Sequence, residues 1–117
     1  MSTKETVERY FAALAEKGKW EAFLADDLKF TSFTTPLKEV AGKPAYLEST
    51  KRFFSMVRSV EVKDLMTEGP KACALTRYEL EAPNGSKFQS HVAELFTVRS
   101  GKIETFAIYF DTAPFPK

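Results

Sequence analysis

The chain predicts an α+β fold, with N-terminal helices covering a curved antiparallel sheet. Three observations lead there. The first half carries apolar residues at helical spacing. Residues 72–111 alternate as three consecutive strands. Two short turns, Asn84-Gly85 and Arg99-Ser100-Gly101, join those strands into a meander. Helices followed by antiparallel strands form one such fold. Helices on one side of a bent sheet leave a concave pocket between the layers.

In chain order, Ser2-Thr3-Lys4-Glu5 has capping-box spacing. Val7, Tyr10, Phe11 and Leu14 then form one buried helical stripe, which Gly18 ends. Trp20, Phe23 and Leu24 mark a short second helix that stops at Asp26-Asp27. Leu28 to Thr35 reads as a strand closed by Pro36. Gly42-Lys43-Pro44 opens a third helix, with Pro44 in its first turn and Leu47, Thr50, Phe53, Phe54 and Val57 on its buried side. Val60 to Met66 is a strand ended by Gly69-Pro70. With no internal repeat or linker, the chain reads as one domain over residues 1–117.

The meander fixes two faces. If Asn84-Gly85 is a two-residue turn, Arg77 lies opposite Val92, Leu75 opposite Glu94 and Glu79 opposite Ser90. If Gly101 is the left-handed residue of a three-residue turn, Glu94 lies opposite Phe106, Val92 opposite Ile108 and Ser90 opposite Phe110. The inner face then holds Arg77, Glu79 and Glu94 among aliphatic and aromatic side chains, with Cys73 beside Phe96. Buried ionisable groups cost several kcal/mol unless paired or neutralised, so this face predicts a polar-lined cavity. The other face carries Thr76, Tyr78, His91, Ala93, Leu95, Ala107 and Tyr109. It is small and apolar, and predicts an interface through which two copies pair as a homodimer.

Composition narrows the functions. The formal net charge of +1, with acids and bases mixed, provides no footprint for nucleic acid. No apolar run approaches the roughly 20 residues of a membrane span. The polar start Met1-Ser2-Thr3-Lys4-Glu5 lacks a signal-peptide core, and Cys73 is the only cysteine, so a reducing cytoplasm is expected. One histidine and no cluster of acids or cysteines predict no metal and no cofactor.

Several segments carry a resemblance: Glu-Arg-Tyr-Phe-Ala-Ala-Leu (8–14), Phe-Leu-Ala-Asp-Asp-Leu-Lys-Phe-Thr-Ser (23–32), Gly42 to Leu47, Phe-Thr-Val-Arg-Ser-Gly-Lys-Ile (96–103) and Tyr-Phe-Asp-Thr-Ala-Pro-Phe (109–115). The chain resembles the SnoaL-like proteins of the nuclear transport factor 2-like superfamily, which includes ketosteroid isomerases and polyketide cyclases. The resemblance implies a cone-shaped, cystatin-like fold. It also implies that Tyr10 and Glu94 match the tyrosine and carboxylic acid that hold a developing oxyanion in ketosteroid isomerases, where an apolar setting keeps the acid protonated. The place of that family's general base holds Ser32, with Thr34 near it, and a serine with no adjacent base takes no proton at neutral pH.

Two functions follow. In the first, the pocket is a cyclase- or isomerase-type site for a small hydrophobic carbonyl compound. Glu94 and Tyr10 would be catalytic, and Arg77, Glu79, Ser32, Thr34, Ser90, Val92, Phe106, Ile108 and Phe110 would bind the ligand. In the second, the same pocket binds a small hydrophobic ligand without chemistry, as Ser32 suggests. A structural reading stays beside both: Tyr10 as a core tyrosine, Glu94 and Arg77 as an ion pair closing the pocket, and Glu79 as a solvated strand-end acid.

Overall fold

A computed structural model describes residues 2–34 and 38–114. The capping box forms: Ser2 Oγ accepts from the Glu5 N–H at 3.1 Å and Glu5 Oε1 from the Ser2 N–H at 3.3 Å. It opens α1 (Thr3–Ala15), whose Val7, Tyr10, Phe11 and Leu14 are buried as the spacing predicts. Lys17, at φ 57°, takes the left-handed position expected of a glycine, and the Gly18 N–H returns to the Ala13 carbonyl.

The second element departs from the prediction. Trp20–Phe23 is a single 3-10 turn, and strand β1 (Leu24–Ser32) begins at once. Asp26 and Asp27 lie in that strand rather than ending a helix. They are exposed where its pairing slips between Leu24 and Lys29, while Leu24 and Leu28 enter the core. A short strand that the sequence pattern does not announce, β2 (Lys38–Ala41), pairs with β1. The predicted strand closure at Thr35 and Pro36 lies outside the described residues, as does Phe115. Then come α2 (Lys43–Met56), with Pro44 in its first turn, and β3 (Val57–Glu68), β4 (Lys71–Glu81), β5 (Lys87–Arg99) and β6 (Lys102–Phe110). Among the described residues the helices are therefore two, plus one 3-10 turn, where three were expected. No described helix is long and apolar enough to cross a membrane.

The six strands form one sheet in the order β2-β1-β6-β5-β4-β3. It is not wholly antiparallel, since β1 runs parallel to β6. Register slips in β1, β3 and β6 act as bulges that bend the strands, and the sheet wraps around the helices as a half-open cone. Helix α1 packs on β3 to β6, where Ala72 and Ala74 leave room for its stripe; α2 packs on β1 and β2. The Tyr10 ring meets Phe11, Trp20, Phe96 and Phe106 at edge-on centroid distances of 5.0 to 6.3 Å.

Both meander turns differ from their predicted form, with opposite consequences. The first is built on Pro83-Asn84-Gly85. The Gly85 N–H reaches the Ala82 carbonyl, the Ala82 N–H reaches the Ser86 carbonyl, and Gly85 alone has positive φ, 87°. Pro83 has its φ pre-set for the first corner of a type I turn, so the loop takes three residues with the glycine as bulge. The register moves by one: Arg77 lies opposite His91, and Glu94 opposite Ala74. A one-residue shift exchanges the faces of a strand. Thr76 and Tyr78 therefore point inward, while Cys73, Leu75, Arg77 and Glu79 point outward.

The second turn is the two-residue Ser100-Gly101, both at positive φ, followed by a bulge at Glu104, opposite Thr97 and Val98. Together these move the register by two, so Glu94 lies opposite Ile108 and Phe96 opposite Phe106. Facing is preserved, and Phe106, Ile108 and Phe110 point inward as predicted.

Candidate functional site

Strand alternation brings Ser90, Val92 and Glu94 of β5 to the concave side, with Phe106, Ile108 and Phe110 of β6 and Phe30 and Ser32 of β1. Tyr78 of β4 and Lys38 of β2 complete the sheet side. Helix α2 closes it with Tyr46, Ser49, Thr50, Phe53 and Phe54. These residues line a partly open cavity of about 180 Å³.

Among the described residues, Glu94 is the one acidic group lining that cavity, and it is 2% exposed. Its Oε2 accepts from Thr76 Oγ1 at 2.6 Å and from the Tyr78 hydroxyl at 2.8 Å. Both bonds fall on one oxygen, which leaves Oε1 available to an occupant of the cavity. Burial pushes the carboxyl up to about 7 against the opposing effect of the Thr76 and Tyr78 hydrogen bonds. The expected Arg77 partner is absent because Arg77 is on the convex face, 2.7 Å from Glu61 and 3.5 Å from Glu79. Glu79 also accepts from Gln89 Nε2 at 2.9 Å. Neither Arg77 nor Glu79 lines the cavity, and the one-residue shift set by Pro83 is the reason.

The other expected residues divide. Ser32, Ser90, Val92, Phe106, Ile108 and Phe110 line the cavity. The Ser90 hydroxyl is buried with no hydrogen-bond partner among the described residues. Thr34 does not line it. Its Oγ1 donates to the Phe110 carbonyl at 3.0 Å and accepts from the Phe110 N–H at 2.9 Å, clipping β1 to the end of β6. Tyr10 stands behind the wall; its hydroxyl approaches that of Tyr46 but completes no hydrogen bond of good geometry. Burial first, then nearby Tyr46 and Glu94, holds the Tyr10 hydroxyl protonated. Burial and Glu94 do the same for Tyr46.

Three residues of the site do not stand out in the sequence. Thr76 and Tyr78 fall on the wrong face under the expected register, and Pro83 is the signal that corrects it. Tyr46 and Ser49 extend to the cavity the face on which the spacing already places Thr50 and Phe53. His91 is exposed on the convex face, and Cys73 lies there opposite Leu95 rather than beside Phe96 in the core. Among the described residues no group of three or more His, Cys, Asp or Glu could hold a metal ion.

Tyr78→Phe isolates one of the bonds to Glu94. It should lower stability by about 1 kcal/mol, the net worth of one hydrogen bond, and raise the Glu94 pKa further, since the lost bond favours the charged form. Carboxyl titration by carbon-13 NMR checks the direction; a downward move would show that the bond favours the neutral acid.

The family model of the SnoaL-like domain matches residues 7–106. No curated protein matches the chain in sequence. Among solved structures, an NTF2-like protein from Burkholderia thailandensis E264 superposes with a TM-score of 0.82 at 18% identity, covering 97% of this chain and 94% of that one. A protein provisionally described as a SnoaL-like polyketide cyclase, from Jannaschia sp. CCS1, gives 0.77 at 19% identity, with 98% and 93% covered. One provisionally described as a ketosteroid isomerase, from Kribbella flavida DSM 17836, gives 0.75 at 19% identity, with 98% and 82% covered. At these identities the likeness is one of fold.

Proposed function

Because the chain belongs to the SnoaL-like domain family, we propose that its cavity takes a small hydrophobic carbonyl compound and that Glu94 exchanges a proton with it, as in an isomerase or cyclase. One observation carries this reading: a carboxyl with a pKa of about 7 sits in the wall of an aromatic cavity. Such a group is divided between acid and base near neutral pH, the condition under which proton transfer works in either direction. Thr76 and Tyr78 hold it in place. Tyr46, unlike Tyr10, lines the cavity; with the Tyr78 hydroxyl already given to Glu94, Tyr46 is the candidate donor to a carbonyl oxygen.

A specific observation also favours binding without chemistry. Ser32 stands where the resemblance places a base, and Lys38 is the other charged residue of the lining. Thermal-shift screening of wild type and Glu94→Gln with small ketones, lactones and aromatic acids tests the site itself. Shifts that differ between the two proteins support it. Equal shifts across the whole panel would remove Glu94 from any site.

We also propose that the convex face pairs two copies. Two cross-strand rows run over it, Leu75–Ala93–Tyr109 and Cys73–Leu95–Ala107. Tyr109 is 51% exposed and stacks on Phe33 at 4.9 Å; Leu75 and Leu95 are each 41% exposed. A contiguous apolar patch of this kind favours a partner, and a twofold pair is the commonest closed assembly. Sedimentation equilibrium should give about twice the 13.2 kDa chain mass and Leu95→Glu the single mass. A wild-type monomer at high micromolar concentration would sink the idea.

A further inference from the structure

The cavity has a polarity that runs along one row of the sheet. Glu94 lies opposite Ile108, Ile108 opposite Ser32, and Ser32 opposite Lys38. These four residues on four successive strands all line the cavity. At about 4.8 Å between neighbouring strands, the row spans about 14 Å of backbone. Its two ends differ in charge and in solvation. Glu94 is buried and meets neutral hydroxyl donors. Lys38 is exposed and, among the described residues, carries no ion pair and is the one cation of the lining. Ser32, its cross-strand neighbour, adds a hydroxyl beside it.

Size limits what lies between. The cavity holds about 180 Å³, close to the roughly 150 Å³ apolar cavity that takes one benzene. One ring, or a chain of similar volume, fits; a fused polycycle does not.

We infer that the ligand is a monocyclic or short-chain keto acid, bound with its carbonyl toward Glu94 and its carboxylate at Lys38 and Ser32. This rests on the reading that Glu94 is the ligand-facing group. The charges allow only that orientation. A carboxylate at the deep end would meet a second carboxyl with no cation to offset it. At the exposed Lys38 end it meets an ammonium and a hydroxyl. The carbonyl, being neutral, is the end that can be buried.

Calorimetric titration with three probes tests this: acetophenone, para-acetylbenzoate and an acetylnaphthoate. Each is titrated into wild type, Lys38→Gln and Glu94→Gln near pH 6, below the Glu94 midpoint of about 7. Para-acetylbenzoate should bind wild type about fivefold tighter than acetophenone at low salt, the upper range for an exposed ion pair. That advantage should vanish in Lys38→Gln and at about 1 M salt. The acetylnaphthoate should bind at least about tenfold more weakly than para-acetylbenzoate, a ring that the cavity cannot house having to be left outside or forced in. Equal affinity of acid and ketone, an acid advantage that survives Lys38→Gln, tight binding of the bicycle, or no binding by any probe would each overturn the inference. Failure of the underlying reading looks different: acetophenone would then bind wild type and Glu94→Gln equally while the Lys38-dependent preference for the acid persisted.

Discussion

Glu94→Gln is expected to slow α-proton exchange of a bound methyl ketone by about a hundredfold or more, the usual contribution of a positioned general acid or base. The substitution keeps the shape of the side chain. Its amide oxygen can still accept from Thr76 Oγ1 and the Tyr78 hydroxyl, which now lie 2.6 and 2.8 Å from Oε2. What is lost is the ability to take and return a proton. Exchange of the acetophenone methyl hydrogens with deuterated water, followed by NMR, reads this loss without knowledge of the natural substrate. The wild-type rate through the base form should rise with pH and level off above about 7, and the variant should lack that limb. Ligand binding should survive in both. An unchanged exchange rate in the variant would favour the binding protein over the enzyme.

The second large effect is on stability. Burial raises the Glu94 carboxyl from 4.5 to about 7, so the folded chain holds this proton more tightly than the unfolded one. Below pH 4.5 both states are protonated and the full stability is present. As pH rises the unfolded state ionises first, and stability falls until the folded carboxyl has also ionised, above about pH 7. At about 1.4 kcal/mol for each pH unit separating the two values, the loss is about 3 kcal/mol. Every other titrating group is shared with Glu94→Gln, so the difference between the two proteins isolates this one. Urea denaturation across that pH range should show wild type losing about 3 kcal/mol relative to the variant; a difference that stays flat with pH would mean that the carboxyl titrates normally in the fold.

Much of this molecule is legible in the sequence, for local reasons. The Ser2–Glu5 capping box, the Val7–Tyr10–Phe11–Leu14 stripe and Pro44 at the start of α2 are signals whose partners lie within one or two helical turns. Strand β5 buries Ser90, Val92, Glu94 and Phe96 on the face that the two expected turn registers share. Register is harder because it depends on a single turn. Pro83 draws the first turn back by one residue, which moves Arg77 and Glu79 out of the site and brings Tyr78 and Thr76 in. In the second hairpin a two-residue turn and a bulge keep Phe106, Ile108 and Phe110 in place despite a different pairing. Strand β2 is four residues long, with no apolar alternation to announce it. Tyr46 escapes notice because a helix face that lines a cavity need not be apolar.

If one buried carboxyl in the cavity wall exchanges its proton near neutral pH, carbon-13 NMR titration of the glutamate side chains in wild type and Glu94→Gln shows it most directly. One resonance should titrate at about 7, be absent from the variant, and shift when acetophenone is added. A Glu94 carboxyl titrating near the ordinary 4.5, or indifferent to the ketone, would refute the proton-exchanging role given to it.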